Sequence, residues 1–262
     1  MKLFALKIIK KYILTLAPIF NKLSKNHLPI NNFDNKMPFI LNNYSTYINY
    51  ILDTEQQSNI QNYINNYSND LKLIPINMFE NEKPEYLITV NFYNCSSPLF
   101  FNDNDEITRC EINTYIKDIS NNNYGTLILD YNSNYLSLDP INLLKRKNLL
   151  EYSKTNKMIE LYTNSSENLF DFQINFKNFY KKKISNEFID FTKNIYYKNG
   201  VYDKIYHDYT LSETFINVQL TNIIGDFKYN HMIFNNIHSV FYFPNKIIFY
   251  CKLWDNLDTL IS

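Results

Sequence analysis

Glycine is scarce. The 262 residues contain three, Gly125, Gly200 and Gly225. Neither GxGxxG nor GxxxxGK[ST] can be assembled from them, which excludes glycine-dependent phosphate cradles. Cysteine is equally short. Cys95, Cys110 and Cys251 are odd in number and far apart, so neither a disulfide framework nor a CxxC metal knuckle is available. They read as small buried core residues in a reducing compartment. An excess of charge of either sign is missing too: Lys+Arg and Asp+Glu stand at 26 each, which leaves no basic footprint for nucleic acid. Arginine is confined to Arg109 and Arg146. The uninterrupted apolar run Tyr12–Phe20 is too short to span a bilayer, and no other segment looks transmembrane. No HExxH and no GxSxG occurs.

What the chain has in quantity is aromatic and amide side chains. Twenty Phe and 23 Tyr supply large planar groups for a core. Asn, Ile, Tyr and Lys abound as in the coding bias of an AT-rich genome, so local Asn runs carry little functional weight. The length permits one large β-rich domain or two small ones and is enough to bury a substantial core.

Residues 1–33 differ from the rest, with six lysines and no acid before Asp34. Ala5, Ile9, Tyr12, Ile13 and Leu16 share one helical face, with Lys7, Lys10 and Lys11 opposite, and Pro18 ends or kinks that helix. Three readings stay open: a basic amphipathic helix lying on a membrane surface through residues 1–25, a cleaved signal or targeting segment, and a helix packed on the domain. Residues 34–262 read as a single α+β domain, mainly antiparallel sheet.

Along that domain, residues 26–50 read as loop, from Pro29, Pro38 and the Asn clusters. Asp53–Tyr67 reads as a helix, with Ile60, Tyr63, Ile64 and Tyr67 at helical spacing and Asp53 and Thr54 as N-cap candidates, the former with Gln56 three residues on. Strands are expected at Leu71–Ile76 and Tyr86–Tyr93, followed by a loop over Asn94–Asp105. Next comes the central pair, Ile107–Asp118 and Leu127–Tyr131, joined by a hairpin loop at Ser120–Gly125. Asp139 and Pro140 open a short helix over Ile141–Leu150. Lys157–Thr163 and Leu169–Lys177 form a second hairpin, and Ser185–Tyr197 reads as a helix capped at Ser185. Thr214–Thr221 and Val240–Cys251 are further strands, the latter interrupted by Pro244.

In the first central strand, period two puts Thr108, Cys110, Ile112, Thr114 and Ile116 on one face and Arg109, Glu111, Asn113 and Tyr115 on the other. Arg109 and Glu111 are either the lining of a cavity or a solvated cross-strand pair. Elsewhere, His27, His207, His231 and His238 lack metal-ligand spacing, and His207–Asp208 has no nucleophile nearby in sequence. Asp103, Asp105 and Glu106 form a solvated acidic tip without the spacing of a Ca²⁺ loop. The runs 145–147 and 181–183 are basic patches, read as solvated surface or as contacts for phosphate or anionic lipid.

Several stretches together resemble the acetoacetate decarboxylase-like superfamily over about residues 70–180. They are Leu71–Ile76, Glu85–Asn94, Arg109–Asp118, Tyr124–Tyr131 and Ser137–Pro140 ahead of a lysine-bearing helix. The resemblance implies an antiparallel β-cone or barrel-like sheet. In that family a buried lysine with a depressed pKa forms a Schiff base with a β-keto acid, and an adjacent cation keeps the amine neutral. The matching positions are Lys145, followed by Arg146, with Arg109 and Glu111 lining the cavity. The chain departs from the family's glycine and proline before the lysine, where Asn142, Leu143 and Leu144 stand. Two classes of function follow. One is a repurposed, non-catalytic protein that binds a small carboxylic or carbonyl ligand or plays a structural part, cytoplasmic or peripheral to an intracellular membrane. The other is a Schiff-base lyase acting through Lys145. No cofactor or metal is implied.

Overall fold

The computed structural model describes residues 36–96, 107–133, 150–154, 158–164, 168–192, 194–199, 201–210, 217–243 and 247–252. The N-terminal basic segment, the acidic tip, the expected helix from Ile141 and the 145–147 run lie outside them.

The chain enters on β1, Lys36–Ile51, where loop is expected from the sequence. The correction has a physical cause. Ile48 and Tyr50 are buried on one face of β1 and Ser45 and Asn49 on the other, so no contrast between a wet and a dry side marks the strand. Helix α1, Thr54–Asn65, follows as expected, with Asp53 and Gln56 forming the capping box and Ile60 and Ile64 buried. Strand β2 is short, Leu71–Leu73, and β3 runs Leu87–Ser96. The central hairpin is β4, Ile107–Asp118, and β5, Asn123–Ser133, with Asn122 taking the positive φ of the turn. Leu150 opens β6, Leu150–Lys154, rather than ending a helix. The second hairpin is β7, Met158–Asn164, with β8, Asn168–Lys183, which absorbs the basic run 181–183.

The helix expected over Ser185–Tyr197 is half that length. Helix α2 spans Asn186–Thr192, with the Ser185 hydroxyl accepting from the Phe188 amide, and β9, Asn194–Asn199, takes the rest. The Ile195-Tyr196-Tyr197 run suits a strand better than a helix, and it pairs in parallel with Thr126–Ile128 of β5. Strand β10, Val201–Thr210, has no counterpart in the sequence reading. Strand β11, Asn217–Tyr229, turns at Asn230 and His231 into β12, Met232–Phe234. The single strand expected at Val240–Cys251 is two, β13, Ile237–Phe243, and β14, Ile247–Lys252.

The described strands form one 14-stranded sheet in the order β14-β10-β9-β5-β4-β3-β1-β13-β11-β8-β7-β6, with β2 on β4 and β12 on β11. One end of the sheet stops at β6, while at the other β14 pairs back onto β1. Only β5–β9 is parallel among the described pairings. Strand β1 is long enough to carry two neighbours on one edge: Ser45–Tyr50 pairs β13, and Lys36–Leu41 pairs β14. The fold is α+β and mostly antiparallel sheet.

Both faces of the central strands are covered. On the outer face Ile48, Val90, Phe92, Cys110, Ile112 and Leu127 pack with Ile60 and Ile64 of α1 into the main apolar core. Burial pushes the Cys110 thiol well above its ordinary pKa, with Glu111 and Asp130 adding to the effect, so it stays a neutral core thiol. On the inner face the side chains are polar or aromatic and α2 closes one end. Among the described residues no helix is long and apolar enough to cross a membrane.

Asp118, at the end of β4, holds the hairpin turn. Its carboxylate accepts from Ser120 Oγ at 2.7 Å, Asn121 Nδ2 at 2.8 Å and Tyr196 Oη at 3.0 Å, and Asp118 is buried. Burial by itself would raise the pKa, but these hydrogen bonds together outweigh it and hold the carboxyl below its ordinary value. A carboxyl depressed in the folded state stabilises the fold above its unfolded value, about 3.9, and loses that contribution as pH falls through the lower folded value. The melting temperature, followed by circular dichroism, is therefore expected to drop below about pH 4. Asp118→Asn should start lower and show a flatter acid limb.

Candidate functional site

The candidate site is the inner face of β1, β3 and β4. Antiparallel register sets it, because residues directly opposite one another share a face. Tyr47 pairs Asn91, which pairs Glu111; Asn49 pairs Thr89, which pairs Asn113. Two polar rows thus run across three strands. Ser45, Asn49, Thr89, Asn91, Glu111 and Asn113 are all buried, and Glu111 is only 6 % exposed.

The Glu111 carboxylate accepts from Tyr93 Oη at 2.7 Å and from Asn113 Nδ2 at 3.5 Å. A buried carboxylate needs such donors, since an unsolvated charge is otherwise expensive. In the same region Ser45 Oγ donates to Asn91 Oδ1 at 3.3 Å. In the second row, Thr89 Oγ1 donates to Asn49 Oδ1 at 2.8 Å and lies 3.0 Å from Tyr115 Oη. Burial raises the Tyr47 hydroxyl above its ordinary pKa, and the Glu111 charge pushes it further; burial also raises Tyr115, against the opposing Thr89 hydrogen bond. Both phenols stay protonated at neutral pH. Asn113 Oδ1 is buried and has no hydrogen-bond partner among the described residues.

An aromatic end adjoins the polar rows. Tyr47 stacks on Phe241 at 4.8 Å between ring centroids. Phe188 of α2 meets Tyr47, Tyr115 and Phe241 edge-on at 6.2, 5.9 and 6.2 Å. Edge-to-face contacts of this kind fix ring positions as well as burying area. The face therefore offers one buried acid, several phenol and amide groups, and an apolar wall.

Of the residues singled out from the sequence, Glu111 lies buried on this face and is not half of a solvated pair. Arg109 occupies the same side of β4 and pairs in register with Tyr93; its side chain is outside the described residues. Lys145 and Arg146 lie outside them as well. Sequence reasoning missed Ser45, Tyr47, Asn49, Thr89, Asn91 and Tyr93 as members of the face that carries Glu111. The alternation Ser45-Tyr47-Asn49 against Thr46-Ile48-Tyr50 was the available signal, masked by the Asn-rich background. Among the described residues no group of three or more His, Cys, Asp or Glu is placed to hold a metal ion.

No family model and no curated protein matches the chain. Solved structures do. The acetoacetate decarboxylase of Legionella pneumophila superposes with a TM-score of 0.53 at 11 % identity, over 82 % of this chain and 84 % of that one. The fold is acetoacetate decarboxylase-like. An acetoacetate decarboxylase-like enzyme from Sphingomonas wittichii RW1 gives 0.51 at 6 % identity, over 83 % of this chain and 91 % of that one. The enduracididine biosynthesis enzyme MppR, complexed with the condensation product of pyruvate and imidazole 4-carboxaldehyde, gives 0.53 at 6 % identity over 83 % and 87 %. At such identities the likeness extends to the acetoacetate decarboxylase-like fold, and the residues of the inner face are this chain's own.

Proposed function

We propose that this acetoacetate decarboxylase-like domain binds a small carboxylic or carbonyl compound against its inner polar face. The observation that carries the reading is a buried Glu111 beside a buried acceptor, Asn113 Oδ1, that has no partner among the described residues. An unsatisfied buried acceptor costs about 1–3 kcal/mol, a cost a ligand donor would remove. Arg109, in register with Tyr93, is assigned to the ligand's carboxylate, because a guanidinium matches a carboxylate two-pronged. A hydroxyl or enol on the ligand then meets Glu111 and Asn113, and its carbon skeleton lies against Tyr47 and Phe241.

Acetoacetate, pyruvate and 3-hydroxybutyrate are suitable probes, read by isothermal titration calorimetry. At least one is expected to bind, and Arg109→Met and Glu111→Gln to weaken it about tenfold or more, the worth of one charge-assisted hydrogen bond. Absence of binding by all three, or variants that bind as the wild type does, would overturn the reading.

The named activity of the fold neighbours favours one second reading, a Schiff-base lyase. The Lys145 amine would condense with the ligand carbonyl with loss of water, and borohydride reduction would then fix the imine as a secondary amine. Mass spectrometry after incubation with acetoacetate and borohydride would place the adduct on Lys145. Brief acylation near pH 6.5 should then find Lys145 far more reactive than ordinary lysines, whose amine pKa is about 10.4. An unmodified Lys145, or undiminished decarboxylation by Lys145→Ala, leaves the binding reading alone.

Attachment to a membrane surface through residues 1–25 is a separate part of the proposal, supported by their lysines and apolar stripe. Deleting them should move the protein from sedimenting vesicles of anionic lipid to the supernatant. Unchanged partitioning rules the attachment out.

A further inference from the structure

At the β13 margin of the inner face, a solvent-open cavity of about 390 Å³ lies where the 77–85 connection crosses β8, β11 and β13. Four side chains with complementary chemistry meet there. Lys182 Nζ pairs with Glu82 Oε1; Glu82 Oε2 lies 3.3 Å from His238 Nε2; and His238 Nδ1 lies 2.9 Å from Ser239 Oγ. Neighbouring residues of one strand ordinarily face opposite ways, but the pairing of β1 with β13 shifts register between Asn49 and Tyr50, beside His238. The Asn49 amide donates to Ser239 Oγ at 3.0 Å, and the hydroxyl has two acceptors in reach, Met78 Sδ at 3.6 Å and His238 Nδ1 at 2.9 Å, of which the imidazole nitrogen is the stronger. With the proton on Nε2, on the side of the Glu82 carboxylate, Nδ1 is free to accept; the Glu82 contact is electrostatic, since its Oε2 is not placed in hydrogen-bond geometry among the described residues. The His238 ring lies parallel to Phe79 with centroids 6.0 Å apart, and Lys182 sits over the same Phe79 ring at 4.5 Å.

We infer that Ser239 is an activated nucleophile, with His238 as its general base and Glu82 as the group that orients the base, and that the cavity takes a small ester whose acyl chain lies against Leu220, Ile223 and Ile237. A nucleophile within hydrogen-bond reach of a base that is itself oriented by a third group is the arrangement acyl transfer needs. The cavity is of the size that small-molecule sites have. Ser239 is only half-buried and lines it. Burial pushes the imidazole below its ordinary pKa; Glu82 and Glu85 oppose that shift and Lys182 reinforces it, so the ring is neutral and basic at neutral pH.

The step balances without a co-reactant other than water. Ser239 Oγ attacks the ester carbonyl as its proton passes to His238 Nδ1. The carbon–oxygen bond to the alcohol then breaks, and the proton on Nδ1 goes to the departing alkoxide. Water, deprotonated by His238, releases the acyl group as a carboxylic acid and restores Ser239. The inference needs neither Lys145 nor a ligand on the inner face.

The test uses the full chain and p-nitrophenyl butyrate, with nitrophenolate release and peptide mass spectrometry as readouts. The expected result is a butyryl group on the peptide carrying Ser239, and turnover at least tenfold lower in Ser239→Ala. Glu82→Gln, which keeps the side-chain shape, should lower kcat while leaving KM nearly unchanged, and the wild-type rate should fall as acid protonates His238. Circular dichroism establishes that each variant is folded. If Ser239→Ala does not fold, the site of butyrylation in the wild type and the Glu82→Gln rate decide the matter. Acylation elsewhere, no acylation, or equal rates in wild type and folded variants would overturn the inference.

Discussion

Phe188→Ala is expected to cost about 3–5 kcal/mol of folding stability, the usual range for deleting a fully buried aromatic ring. Phe188 has no exposed surface and is among the largest wholly buried side chains. Its ring meets Tyr47, Tyr115 and Phe241 edge-on, so it joins α2 to β1, β4 and β13 at once. Those partners are anchored by their own strands and cannot collapse into the space, which places the cost toward the upper end. Urea denaturation should show the midpoint falling with little change in slope. Phe188→Leu, which refills most of the volume, should lose much less. A loss below about 1 kcal/mol for the alanine variant would mean that α2 does not pack as described.

Gly125→Ala is the second large effect. A Cβ on Gly125 would lie 2.6 Å from the Asn194 carbonyl oxygen and 2.8 Å from Tyr196 Cε2. The first neighbour is backbone and cannot rotate aside. Asn194 is itself tied to this point, since its Nδ2 donates to the Tyr124 carbonyl at 2.8 Å. The added methyl must therefore push β9 away from β5 at the start of their parallel pairing. A cost of about 1–3 kcal/mol is expected, as for other overpacked sites. Hydrogen exchange should localise it, with amides of β9 and the adjoining part of β5 losing protection before those of β3. A variant as stable as the wild type would show that the two strands are not in such close approach.

Position by position, the chain reveals itself where its local chemistry is unambiguous. The Asp53–Gln56 capping box and the Ile60/Ile64 stripe announce α1 because helix periodicity and a cap agree. Strand β4 is legible to the residue, since its alternation is uninterrupted from Ile107 to Asp118. Strand β1 is not, because both its faces are buried and one of them is lined with amides and hydroxyls. The second half of the expected helix at 185–197 fails for a different reason: partners on β5, more than sixty residues away in sequence, decide the conformation of Ile195–Tyr197. The candidate site divides along the same line. Glu111 could be named from its own strand, whereas Tyr93, Asn91 and Asn49 become its neighbours or near neighbours only through register across β3 and β1. The cluster at His238 depends on contacts over still longer distances, Glu82 being brought from the far end of another connection.

The double pairing of β1 sets the order in which the molecule can be built. Asn49 and its β13 partner Ser239 stand 190 residues apart. The hairpin β4–β5 and the pair β7–β8 involve near neighbours and can form as soon as they are synthesised. Strand β1 can meet β3 early, but its other edge waits for β13 and β14. During translation that edge is an unpaired row of amides and carbonyls, the kind of surface that recruits other chains. Contacts of such sequence separation also slow folding, because the loop entropy is lost before the contacts form. The protein should therefore refold over milliseconds to seconds, with the last phase reporting the capture of β1 by the C-terminal strands.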